Sequence, residues 1–152
     1  MIRSIVIRGT NWIGDSIMSI PAIRSLSKAF PDAEISLLTP EWATGIFRDA
    51  DFVDQIIPFK REKGAWRNVL KQAELLRSFR FDLAVIFPNS FESALSAKLA
   101  GIPHRIGYNK DLRGLLLSAP IAVPEWKGRR HETYYYLNLV AEAQRRFAGT
   151  PL

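Results

Sequence analysis

Short apolar runs alternate along this chain with longer stretches whose apolar residues return every third or fourth position. Ser4 to Arg8, rich in Ile and Val, has the unbroken hydrophobicity of a strand buried on both faces. Asp15 to Phe30 follows, with Ile17, Ile20, Ile23, Leu26 and Phe30 near a period of about 3.6, which predicts a helix capped by Asp15 or Ser16. Pro21 lies too deep in that helix for a first-turn proline, so a kink is expected there. The same alternation predicts strands at Ile35 to Leu38, Val53 to Phe59, Asp82 to Phe87 and Arg105 to Tyr108, with a sixth at Ile121 to Val123. Helices are predicted at Glu41 to Phe47, Ala65 to Phe79, Ser90 to Ala100 and Glu132 to Phe147. Pro58 marks the third strand as one at a sheet edge or one that ends early.

Strands that alternate with helices imply an α/β fold: a Rossmann-like, doubly wound, mainly parallel sheet with helices on both faces and right-handed crossovers. In the strand order 3-2-1-4-5, the loops Gly9 to Gly14 and Pro88 to Ser90 converge at the switch point, where such sheets bind ligands. The loop Tyr108 to Arg113 lies beside them and the loop Lys60 to Gly64 flanks the other side. Residues 1–147 form one domain, and 148–152, with Gly149-Thr150-Pro151, reads as the start of an interdomain linker.

Composition narrows the chemistry. There is no cysteine among the 152 residues, so disulfides, thiolate nucleophiles and Cys-ligated metals are out. No apolar run approaches membrane-spanning length and no signal peptide is read at the N-terminus, which predicts a cytoplasmic protein. Lys and Arg number 21 against 15 Asp and Glu, a net charge of +6 that suggests an anionic partner. The excess gathers at Lys60-Arg61-Glu62-Lys63, His104-Arg105, Lys110 to Arg113 and Lys127 to His131.

The first predicted strand runs into Gly9-Thr10-Asn11-Trp12-Ile13-Gly14-Asp15-Ser16. The glycine spacing is that of a P-loop, but Asp15 stands where the P-loop has its lysine and would repel a phosphate instead of neutralising it. A carboxylate in this position is either a helix N-cap or a catalytic base; the flanking Gly9 and Gly14, which let the backbone turn tightly and approach a ligand, favour the base. Thr10, Asn11, Trp12 and Gly14 are assigned to substrate binding with it. Trp12 reads first as a loop anchor in the core and second as a stacking platform for a sugar ring. Asn89 and Ser90 are a helix cap pair or hydrogen-bond partners of a substrate hydroxyl or phosphate. Asp49-Ala50-Asp51 spells the DxD of metal-dependent glycosyltransferases but precedes a strand, away from the expected site, and reads as a solvated turn. His104 and His131 do not suggest a metal pair.

Asn11-Trp12-Ile13-Gly14-Asp15 with Pro21-Ala22-Ile23-Arg24-Ser25-Leu26 resembles the opening of the ADP-heptose:lipopolysaccharide heptosyltransferases, most like the heptosyltransferase II branch. Pro88 to Ala94, Ala100 to Tyr108 and His131 to Tyr135 resemble the same family in the same order and spacing. The resemblance implies the N-terminal half of a GT-B glycosyltransferase of family 9, with an inverting, metal-independent transfer in the cleft between two Rossmann-like domains. It puts the acceptor-activating base on Asp15. It puts the groups that hold the anionic lipopolysaccharide inner-core acceptor on Lys60, Arg61, Lys63 and Arg113, with Arg105 in the neighbouring basic cluster. ADP-heptose would be a substrate held mainly by a C-terminal domain that this chain does not contain, so the chain alone would be inactive. No cofactor, metal or nucleic acid is implied, and contact with the cytoplasmic face of the inner membrane is expected to be peripheral. The competing reading is a stand-alone nucleotide- or anion-binding module. A nucleic-acid binder finds no RNP or helix-turn-helix pattern to support it.

Overall fold

The computed structural model describes residues 1–110 and 113–148. All but the first residue of the expected linker 148–152 falls outside them, as do Asp111 and Leu112. Among the described residues six strands, β1 (Ser4–Arg8), β2 (Glu34–Pro40), β3 (Gln55–Phe59), β4 (Leu83–Ile86), β5 (His104–Tyr108) and β6 (Ala119–Ile121), form one sheet in the order β3-β2-β1-β4-β5-β6. Every pairing is parallel. The expected order therefore holds, with β6 added outside β5 and beginning two residues before its predicted start. Pro58 lies in β3, an edge strand, where its missing N–H costs no ladder bond to a further neighbour.

Among the described residues six α-helices lie between and after the strands: α1 (Ile13–Met18), α2 (Ile20–Ala29), α3 (Thr44–Phe47), α4 (Ala65–Arg77), α5 (Phe91–Leu99) and α6 (Glu132–Phe147). One long helix was expected over Asp15 to Phe30; the chain makes two, divided at Ser19. Pro21 is the reason. In a continuous helix its ring would press on the carbonyl four residues back, so the first helix stops and Pro21 falls within the opening turn of α2, where no N–H is needed. The hydroxyl of Ser19 donates to the Ser16 carbonyl (2.7 Å) at this joint.

Each face of the sheet has its own core, as alternation along a strand requires. Ile5 and Ile7 of β1 point to one side, with Leu37, Val85 and Ile106, and are covered by Ile23 and Leu26 of α2 and Tyr135 and Leu139 of α6. Val6 points to the other, with Leu38, Ala84 and Ile86, under Ala73 and Leu76 of α4 and Ala94 and Ala97 of α5. Burial on both faces explains the unbroken apolar runs. No helix among the described residues is long and apolar enough to cross a membrane.

Candidate functional site

β1 and β4 are neighbours with Arg8 paired to Ile86, so the loops that follow them leave the carboxyl edge of the sheet side by side. Gly9 follows directly on β1. Its N–H donates to the Leu38 carbonyl (2.8 Å), and a Cβ there would stand 3.2 Å from that oxygen, so a side chain would push the loop off β2. The Thr10 and Ser16 hydroxyls, both buried, are 3.0 Å apart and tie the loop to α1. Gly14 differs from Gly9: a Cβ at Gly14 would meet nothing within 4 Å. A close backbone approach requires the glycine at Gly9 alone, and the approach is to β2.

α1 begins at Ile13 with Trp12 as its N-cap, and no side chain caps it. Asp15 is thus inside the first turn and is not the cap. Its half-buried carboxylate instead accepts a hydrogen bond from the Tyr136 hydroxyl (3.2 Å), 121 positions along the chain. Burial, then the charge of Asp15 and this bond, push the Tyr136 phenol far above its ordinary value, so it remains a donor. The preceding residue, Tyr135, donates to Asn89 Oδ1 (3.0 Å) in the second loop. Two successive tyrosines of α6 therefore hold the two loops of the switch point. α6 is itself fixed to β5: the Tyr108 hydroxyl donates to the Tyr135 carbonyl, Asn138 donates to that hydroxyl (3.0 Å), and the Tyr108 and Tyr135 rings stack at 4.1 Å. Ser90 caps α5, accepting from the Ser93 N–H (3.3 Å).

Asp15, Asn89, Ser90 and Tyr136 open into a cavity of about 330 Å³, with Lys127 on its wall. Lys127 pairs with Glu132 and lies 4.3 Å over the Tyr135 ring. Trp12, expected first as a core anchor, is 73% exposed. Its indole projects from the N-cap and is a wall common to three cavities: the Asp15 cavity, one of about 870 Å³ with Trp42, Phe59, Lys60 and Arg61, and one of about 260 Å³ with Arg8, Arg61 and Gln72. The platform reading of Trp12 is the one its exposure fits.

The expected basic rim is only partly assembled. Lys60 and Arg61 line the large cavity, and Lys63 is exposed in the same loop without lining any of the three. Arg113 is fully buried. Its guanidinium donates to the carbonyls of Tyr108 (2.8 Å), Pro88 (2.7 Å) and Ser90 (3.1 Å), bracing the loops after β4 and β5 from beneath. Gly107 makes room for it, since a Cβ there would sit 2.9 Å from the guanidinium. Arg105 stands near the amino end of β5, at the opposite edge of the sheet, and donates to the carbonyls of Leu116 (2.7 Å) and Ile102 (2.6 Å). Neither residue faces the crevice. Asp49-Ala50-Asp51 lies ahead of β3 at that same far edge, and no group of three His, Cys, Asp or Glu that could hold a metal occurs among the described residues.

From the sequence no site role falls on Arg8, Tyr135, Tyr136 or Lys127, although Lys127 lies in one of the basic clusters and Tyr135 in the stretch His131 to Tyr135. A signal for Arg8 was present: it shares the parity of Val6, so it had to point toward α4. The tyrosines sit in a run of three whose successive side chains turn by about 100° around the helix, which leaves Tyr134 outside and brings the next two inward.

The model of glycosyltransferase family 9 (heptosyltransferase) matches residues 69–146. Lipopolysaccharide heptosyltransferase 2 of Escherichia coli K12 is 37% identical over 115 residues, which are 74% of this chain and 33% of that protein. The protein of the same name from Salmonella typhimurium LT2 is 35% identical over 120 residues, 77% of this chain and 34% of the relative. The solved structure of Escherichia coli ADP-heptose lps heptosyltransferase II superposes with a TM-score of 0.77 at 31% identity, covering 90% of this chain and 40% of that one. The chain thus spans about a third of the length of the curated relatives it matches.

Proposed function

The chain belongs to glycosyltransferase family 9, the heptosyltransferases, and from that premise we propose that it is the N-terminal, acceptor-binding part of an enzyme that moves heptose from ADP-L-glycero-D-manno-heptose to the lipopolysaccharide inner core. The observation that carries this reading is the placement of Asp15: a carboxylate at the switch point, oriented by Tyr136 and open to a cavity. In an inverting transfer the acceptor oxygen attacks the anomeric carbon from the side opposite the departing diphosphate, through an oxocarbenium-like state. Asp15 takes the proton of the attacking hydroxyl, a role that typically contributes about 10²–10⁴-fold. Asn89 and Ser90 orient the acceptor beside it, Trp12 stacks against a sugar face, and Lys60 and Arg61 hold acidic groups by charge-assisted hydrogen bonds. Lys127, the lysine on the wall of the Asp15 cavity, is paired with Glu132, and the chain spans about a third of the length of its curated relatives; the donor's diphosphate is assigned to a second domain across the cleft. The transfer needs no metal and takes place in the cytoplasm, with peripheral contact at the inner membrane where the acceptor is anchored.

Asp15→Asn in the complete protein tests the assignment. The amide keeps the size of the side chain and can still meet Tyr136, but it cannot accept a proton. Transfer to an inner-core acceptor should fall by at least about a hundredfold, with the thermal midpoint and donor affinity retained. Near-normal turnover would remove Asp15 as the base.

A further inference from the structure

Two rows of apolar side chains meet solvent on the layer formed by α4 and α5. Trp66 and Leu70, one helical turn apart on α4, are 63% and 49% exposed. On α5, Phe91, Leu95 and Leu99 follow at intervals of four; the first and last are exposed and Leu95 is half-buried. The rows share one seam. Arg77 of α4 donates to the Leu99 carbonyl at the end of α5 (2.7 Å), which marks the side of α4 that meets α5. Trp66 and Leu70 precede Arg77 by eleven and seven residues, about three and two whole turns, so they stand on that same side. On its other flank α5 meets the 3₁₀ turn Arg113–Leu116, where Leu115 is 92% exposed.

Charge borders these rows. From residue 63 to 77 the chain carries Lys63, Arg67, Lys71 and Arg77 against Glu74 alone, and Lys98 stands near the end of α5. All five cations are exposed, and none forms an ion pair among the described residues. The other carboxylate of α5, Glu92, is half-buried on the wall of the Arg8 cavity. The opposite layer is built differently: α2 and α6 expose one large apolar side chain between them, Tyr134, and α6 pairs Arg145 and Arg146 with Glu142. Neighbouring exposed apolar side chains rimmed by cations mark an interaction surface. The cations repel a second copy of the same face and match an acidic one. A bilayer with acidic headgroups suits both parts of the pattern, because aromatic and leucine side chains enter its headgroup–acyl boundary while flanking lysines and arginines keep their charges among the headgroups.

We propose that the α4–α5 layer docks the protein on an anionic lipid surface, with Trp66, Leu70, Phe91, Leu99 and Leu115 entering the boundary and Arg67, Lys71 and Lys98 meeting acidic headgroups. This face supplies the surface for the peripheral membrane contact of the acceptor-binding reading, and it rests on that reading only for what the contact serves. Helices that connect parallel strands run back against them, so α4 and α5 begin at the carboxyl edge of the sheet. Trp66 and Phe91, in the opening turns, therefore stand at the edge that carries Asp15. Docked on this flank, the crevice opens along the bilayer, and a lipid-borne acceptor reaches Asp15 without leaving the leaflet.

Sedimentation of the complete protein with vesicles tests the face. Saturable binding is expected to phosphatidylglycerol–phosphatidylethanolamine vesicles, and binding at least about tenfold weaker to phosphatidylcholine. Trp66→Ser with Leu115→Ser, both at exposed positions, should lower the partition constant at least about tenfold, the effect of burying one large apolar side chain. Arg67→Gln with Lys98→Gln should lower it about tenfold or more, each cation near an acidic surface being worth about fivefold. Lys28→Gln with Arg48→Gln, the same loss of charge on the opposite layer, should change it less than about threefold. Absent binding to the anionic vesicles, undiminished binding by Trp66→Ser with Leu115→Ser, or equal weakening by the two charge pairs overturns the face. A dimer in the ultracentrifuge that this serine pair abolishes, with no vesicle binding, overturns it in favour of a second copy, and a monomer that binds no vesicles leaves the rows to a protein partner. Transfer to a lipid-free inner-core oligosaccharide is scored separately and should be unchanged in the vesicle-binding variants. Asp15-dependent transfer without vesicle binding overturns the face and leaves the acceptor reading intact; vesicle binding through these residues without such transfer does the reverse.

Discussion

Replacing Tyr136 by phenylalanine removes one oxygen atom and keeps the ring, which is 5% exposed and packs on Phe87 with centroids 5.2 Å apart. No cavity larger than a hydroxyl is made, so the loss is that of the bond to Asp15. A hydrogen bond to a charged group contributes about 1.5–3 kcal/mol. Asp15 is half-buried and can recover a water, so the lower end applies, about 1–1.5 kcal/mol. For a chain of this size that is a fall of roughly 3–5 °C in thermal midpoint.

pH supplies a second reading of the same bond. The folded-state pKa of Tyr136 is raised by burial and by Asp15, whereas the unfolded phenol titrates near about 10. Below that value both states keep the proton and the full stabilisation is present. As pH rises past it the unfolded chain loses its proton first, so stability falls, by up to about 1.4 kcal/mol per pH unit for this one group. The phenylalanine variant has no proton to lose at this position. The stability difference between wild type and Tyr136→Phe should therefore be constant to about pH 9.5 and shrink above it, while contributions such as that of Arg8, whose pKa burial lowers to about 10, are common to both and cancel. In the complete protein, kcat should fall by about tenfold with little change in KM, because a base free to rotate forfeits part of its 10²–10⁴-fold contribution. Urea denaturation at stepped pH and initial-rate kinetics measure these quantities. A midpoint within about 0.5 °C of wild type, or a stability gap that is flat through pH 11, would show that the hydroxyl is not engaged by Asp15.

Two further substitutions separate structural from ligand-facing residues. Arg113→Met should destabilise the chain by about 3–5 kcal/mol in urea, because three backbone carbonyls lose a buried donor; unchanged stability with weakened acceptor binding would return Arg113 to the rim. Trp12→Ala should change stability by no more than about 0.5 kcal/mol and weaken acceptor binding severalfold, read by calorimetry with an inner-core oligosaccharide; a large loss of stability would restore the core-anchor role.

Much of the architecture was legible because parallel strands buried on both faces must be apolar throughout. Helix α6 was anticipated to the residue, and Pro58 correctly marked an edge strand. Pro21 announced a disturbance in the first helix, and only its degree was misjudged, since a kink and a full break at Ser19 look alike until the backbone is traced. The basic residues were much less legible. Arg105 and Arg113 belong to clusters that look equivalent in a linear chain, yet one lies at the wrong edge of the sheet and the other beneath it.

By itself, then, the order of residues determined the α/β class, and with the doubly wound order 3-2-1-4-5 it brought Asp15 together with Asn89 and Ser90 at one switch point. These follow from local periodicity and from the narrow set of connections a parallel sheet allows. Only the tertiary structure decided which charges face the crevice: Arg8 turned inward under Phe59, Arg113 consumed by three carbonyls, Trp12 turned outward, and Tyr136 brought across 121 positions to Asp15. The physical reason is that a long polar side chain satisfies itself with whatever the fold brings within reach, and contacts so distant in sequence leave no period to read.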